Sequence, residues 1–96
     1  MPHLLTLSAE QTIYQAPALQ QQLAEALRQH PELVLDLSQV SEIDCAGAQV
    51  LLWLQAVLQQ HHRQLRLYRP SQAVSSFLQL MGLDQLQACV EDDDES

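Results

Sequence analysis

The chain has 96 residues, 47% of them hydrophobic and 4% aromatic, with a formal charge of −8 and arginine as its only fully basic residue type. That length accommodates one domain around one core. The acidity disfavours a nucleic acid or anionic lipid surface as partner, and no apolar run is long enough to insert into a membrane.

In chain order, LLTL (residues 4–7) reads as a short strand, with QTIY (residues 11–14) a candidate second strand. Pro17 suits the first turn of a helix. Leu19, Leu23, Ala26, Leu27 and His30 then recur at helical spacing until Pro31 stops the run. ELVLDL (residues 32–37) is apolar without alternation, the pattern of a strand covered on both faces. From Ala46 to about Gln60 the pattern is helical, with Gly47, Val50, Leu51, Leu54, Val57 and Leu58 on one face.

QLRLYR (residues 64–69) alternates as a strand does. Ser71 is placed to cap a third helix that turns Val74, Phe77, Leu78 and Met81 inward and stops at Gly82. Leu83, Leu86 and ACV (residues 88–90) return to the core. Strands alternating with helices predict an α/β fold.

Five of the twelve acids fall in one run, Glu91 to Glu95, so residues 1–90 are expected to form the domain and 91–96 an acidic disordered tail. No secretory signal is read. Two cysteines, Cys45 and Cys89, could form one disulfide, but a core this apolar needs no cysteine framework, so the expected setting is cytoplasmic with reduced thiols.

The segment LVLDLSQVSEIDCAGAQVLLWL (residues 33–54) resembles the signature of STAS domains, the fold of bacterial anti-sigma factor antagonists. An apolar strand ends in Asp36-Leu37-Ser38, a short loop follows, and Asp44-Cys45-Ala46-Gly47 stands where the family has Asp-Ser/Thr-x-Gly opening a long helix. TIYQAPALQQQL and RLYRPSQAVSSFLQLMGL are similar to the family's first helix and its last strand and helix. The resemblance implies a small mixed β-sheet with helices mainly on one side. It also implies protein partners engaged through the loop and helix that start at Asp44, and a phosphorylatable hydroxyl where this chain has Cys45.

A phosphate at that helix start would bring nearly two negative charges into an interface. Cysteine keeps the approximate size of serine without the hydroxyl, so phosphorylation is not expected there. A helix start favours a thiolate, which leaves a redox role for Cys45 as an alternative, although Asp44 is adjacent and Cys-x-x-Cys is absent. A catalytic cysteine would need a base, and the four histidines give no local signature. His61 and His62 are consecutive and would diverge by about 100° on a helix, so no metal site is read. No cofactor is implied either.

Ala48, Leu52 and Ala56 recur every four residues away from most of the core stripe, with Trp53 at its border. With Asp44, Cys45, Ala46 and Gly47 they form the expected partner-binding surface. The expected function is a non-enzymatic regulator resembling an anti-sigma factor antagonist, in partner-switching or chemotaxis-linked signalling. Its partner would be an anti-sigma factor or kinase-like protein, or a chemotaxis component. The alternatives are a STAS subunit of a bacterial ABC-type phospholipid transporter, contacting its ATPase, and a thiol redox sensor acting through Cys45.

Overall fold

The computed structural model describes residues 3–30 and 32–91. Pro31, the expected helix stop, and the acids from Asp92 onward lie outside them. The elements in chain order are β1 (His3–Thr6), β2 (Glu10–Gln11), α1 (Ala16–Gln29), β3 (Leu33–Asp36), β4 (Glu42–Ile43), α2 (Cys45–Gln60), β5 (Arg66–Tyr68), α3 (Gln72–Leu80), α4 (Asp84–Gln87) and β6 (Val90–Glu91). This is the expected α/β fold around a small sheet.

The main sheet has the order β1-β3-β5-β6, and β2 pairs with β4 apart from it. Where a mixed sheet is expected, every pairing among the described residues is parallel. Parallel neighbours need crossovers, and α1, α2 and the α3–α4 pair supply them. All four residues of β3 are buried, Leu33 to Leu35 as the apolar run predicts and Asp36 as a buried carboxylate. Leu35, Leu67, Leu23, Leu54 and Leu86 are fully enclosed, and each such side chain contributes about 1.5–3 kcal/mol of burial.

Helix ends follow local chemistry. Pro17 sits in the first turn of α1. Ser71 accepts from Val74 N–H at 3.2 Å and donates its hydroxyl to Val40 O at 2.5 Å, joining α3 to the loop after β3. Gly82, at φ +65°, ends α3, with Leu83 N–H donating to Leu78 O and Gly82 N–H to Gln79 O. That is a Schellman closure, which needs the left-handed conformation glycine adopts without strain.

Three further expectations change. QTIY is not a strand beyond Gln11: Thr12 to Gln15 form a turn. Gln15 Oε1 accepts from both Thr12 N–H and Thr12 Oγ1–H, bonds that close a tight turn just ahead of α1. Met81 is not inward; it follows the last residue of α3 and is 46% exposed. Glu91, counted with the tail on sequence, is the last residue of β6 and pairs with Arg66 at 3.1 Å.

Candidate protein-binding site

The junction between β4 and α2 lies beside the turn between β2 and α1, because β2 and β4 pair side by side in the register Gln11 to Ile43. Asp44 is the N-cap of α2: its Oδ1 accepts from Ala46 N–H at 3.0 Å and Gly47 N–H at 3.2 Å. An aspartate there satisfies two otherwise orphaned donors and complements the helix dipole. Its Oδ2 accepts from Ile13 N–H at 3.1 Å. One carboxylate thus holds the β2–α1 turn against the start of α2.

Gly47 has a steric reason to be glycine. A Cβ on it would stand 2.2 Å from the carbonyl oxygen of Gln11. The same oxygen accepts from Asp44 N–H, so the backbones of β2 and α2 meet with no room for a side chain. Gln11 is itself buried, its Nε2 donating to Ser8 O and Ser8 Oγ.

This clamp leaves an apolar surface in solvent. Ile13 is 63% and Tyr14 87% exposed. Cys45, next to Asp44, is exposed with a free thiol. Ala46 is half-buried, and Gln49 and Ala56 continue the exposed face along α2.

The predicted strip on α2 is rotated from the observed one. Ala48 is buried, at 3% exposure. Leu52 and Trp53 are half-buried and pack against the core. The cause is the cover on both flanks of α2, which packs against α1 and α4. Gln55, on the Leu52 side, donates to Gln85 O and to Cys89 Sγ at the end of α4. The exposed row therefore runs Cys45–Gln49–Ala56, with Leu52 at its edge, and Gly47 and Ala48 face inward.

Sequence reasoning missed Ile13 and Tyr14. The signal present in TIYQ is the pair Thr12 and Gln15, whose polar side chains bond across the turn and compete with a strand there.

At the carboxyl ends of β3 and β5, Asp36 is buried and receives Arg69 Nη2–H at 2.7 Å and Ser38 N–H at 2.9 Å. Burial works to raise its pKa, but the Arg69 guanidinium and the Ser38 bonds prevail and hold it below the ordinary carboxylate value. Arg69 sits at φ +48° with its guanidinium 5.7 Å from the centre of the Tyr68 ring. Burial also raises the Cys89 thiol, partly offset by the Gln55 amide. His61 and His62 lie in the turn that closes α2.

A family model described as Mlab, STAS domain, matches residues 2–88. The chain belongs to the STAS domain family. Comparison with curated proteins gives no match. Among solved structures, this STAS domain is similar to the unphosphorylated anti-sigma factor antagonist SpoIIAA, at 19% identity and TM-score 0.75, covering 96% of this chain and 79% of that one. It is similar to the Bacillus cell fate determinant SpoIIAA in its phosphorylated form, at 18% identity and TM-score 0.68, covering 96% and 82%. It is also similar to a sulfate transporter family protein from Wolinella succinogenes, at 17% identity and TM-score 0.73, covering 95% and 75%. These likenesses show the fold. Among the described residues no helix of this STAS domain is long and apolar enough to cross a membrane.

Proposed function

We propose that this STAS domain is a non-enzymatic, cytoplasmic regulator that binds another protein through the β2–α1 turn and the start of α2. The observation that carries the reading is the exposure of Ile13 and Tyr14 beside exposed Cys45. A clamp of hydrogen bonds to Asp44 holds these residues in solvent. A preordered tyrosine next to apolar neighbours is the composition of an interface anchor.

The pathway proposed is partner switching or chemotaxis-linked signalling, on the similarity to an anti-sigma factor antagonist. Cys45 occupies the switch position and offers no hydroxyl, so regulation here does not run through phosphate on that residue. A second reading is a STAS subunit of an ABC-type phospholipid transporter. The family description naming Mlab and the similarity to a sulfate transporter family protein favour it.

Affinity capture from the native cell, with wild type and Tyr14→Ser in parallel, tests the proposal. A protein retained by wild type and lost by a variant of equal melting temperature supports it. Equal retention of every captured protein contradicts it. A captured kinase-like or chemotaxis protein selects the first reading, and a transporter ATPase the second.

A further inference from the structure

A groove between the C-terminal halves of α1 and α2 lies well away from the junction. Val57 is twelve residues along α2 from Cys45, roughly 18 Å at the helical rise. The groove has a volume of about 370 Å³ and is lined by Ala24, Leu27, Trp53, Val57 and Leu58, with Arg28, His61 and Arg63 also on its wall. That volume lies in the range of about 300–1,000 Å³ usual for small-ligand sites.

Its charge is opposite to that of the chain. Acids outnumber arginines twelve to four over the whole sequence, yet two of the four arginines line this groove and, among the described residues, no carboxylate does. The N–H groups of His61 and Arg63 both donate to Leu58 O, which closes the end of α2 and brings Arg63 back to the groove. Arg28 pairs with Glu25 on the exposed side of α1. Such an exposed pair is weak, and a guanidinium has five donors, enough for a second anion.

We infer that this groove binds a single-chain anionic amphiphile of the fatty-acid class. The alkyl chain lies along Leu27, Trp53 and Val57, and the carboxylate meets Arg28 and Arg63. The site is separate from the proposed protein-binding surface and does not depend on it.

Trp53 is the only tryptophan, so its emission reports occupancy in the intact chain. Titration with dodecanoate below its micellar concentration should give a saturable blue shift at one molecule per chain. Affinity should rise about twofold to fourfold per methylene from octanoate to dodecanoate, the upper figure being that of full burial. Arg28→Glu with Arg63→Glu changes two exposed side chains and should lower affinity at least about tenfold with the melting temperature kept. Dodecyltrimethylammonium should not saturate the signal. A non-saturating response, equal binding of the cationic amphiphile, or an unchanged affinity in the double variant would overturn the inference. Saturation by an acidic amphipathic peptide but not by dodecanoate would overturn it as well.

Discussion

Ile13 N–H donates to Asp44 Oδ2 at 3.1 Å, across 31 residues of sequence, while the other oxygen of the same carboxylate caps α2. The β2–α1 turn and the start of α2 are therefore one unit. Asp44→Ala should cost about 0.5–2 kcal/mol, the range for loss of an N-cap. It should also speed amide exchange at Ile13 more than at core positions such as Leu35. Exchange at Ile13 unchanged from wild type would show that the tie is absent in solution.

Gly47 provides a harsher test of the same junction. Its Cβ position falls 2.2 Å from Gln11 O, so Gly47→Ala must push β2 away from α2. Overpacking of this kind costs about 1–3 kcal/mol, and 1 kcal/mol moves the melting temperature of a domain this size by roughly 4–8 °C. Thermal denaturation should show a fall of at least about 4 °C. No fall would mean that the two backbones are not in contact.

The family signature made the junction legible in sequence, and periodicity did the same for β3 and α2. The apolar run at residues 33–35 is buried at every position. Asp44, Ser71 and Gly82 stand at the helix ends where their chemistry places them. Exposure on α2 was less legible. A helical period identifies a face but not how wide an arc the neighbours cover; α2 is flanked by both α1 and α4, and Ala48 is buried. Replacing Leu52 by aspartate would consequently strike core packing as well as any partner. Ile13 and Tyr14 looked like strand residues because both have high β propensity. The Thr12–Gln15 hydrogen bonds override that preference locally.

Asp36 should make stability depend on acid pH. Its pKa in the folded chain lies below the ordinary value because Arg69 and Ser38 outweigh burial. The contribution is thus present above the unfolded carboxylate pKa, near 3.9, and is lost as pH falls through the folded value. Denaturant midpoints should decline below about pH 4 in wild type. Asp36→Asn should be less stable at neutral pH by about 1–3 kcal/mol, the range for a hydrogen bond to a charged group, and its decline on acidification should be shallower. Parallel pH profiles for the two proteins would remove Asp36 from this role.

Cys45 is expected to carry no phosphate when the purified chain and its partner are incubated with ATP, since the Asp44 to Gly47 segment has no hydroxyl. Intact-mass spectrometry checks this directly. Oxidant that releases the partner from wild type but not from Cys45→Ser would instead make the thiol a redox switch.

Burial of Cys45 by the partner is tested by the affinity of wild type, Cys45→Ser and Cys45→Glu for the protein retained from the native cell, by isothermal titration. Cys45 is exposed, so all three proteins should fold alike. Serine should bind about as tightly as cysteine. Glutamate should bind about 1–3 kcal/mol more weakly, because an interface that buries this position leaves the new charge unpaired. Glutamate binding as tightly as wild type would contradict the account, since a partner seated on the β2–α1 turn and the start of α2 has to cover this residue.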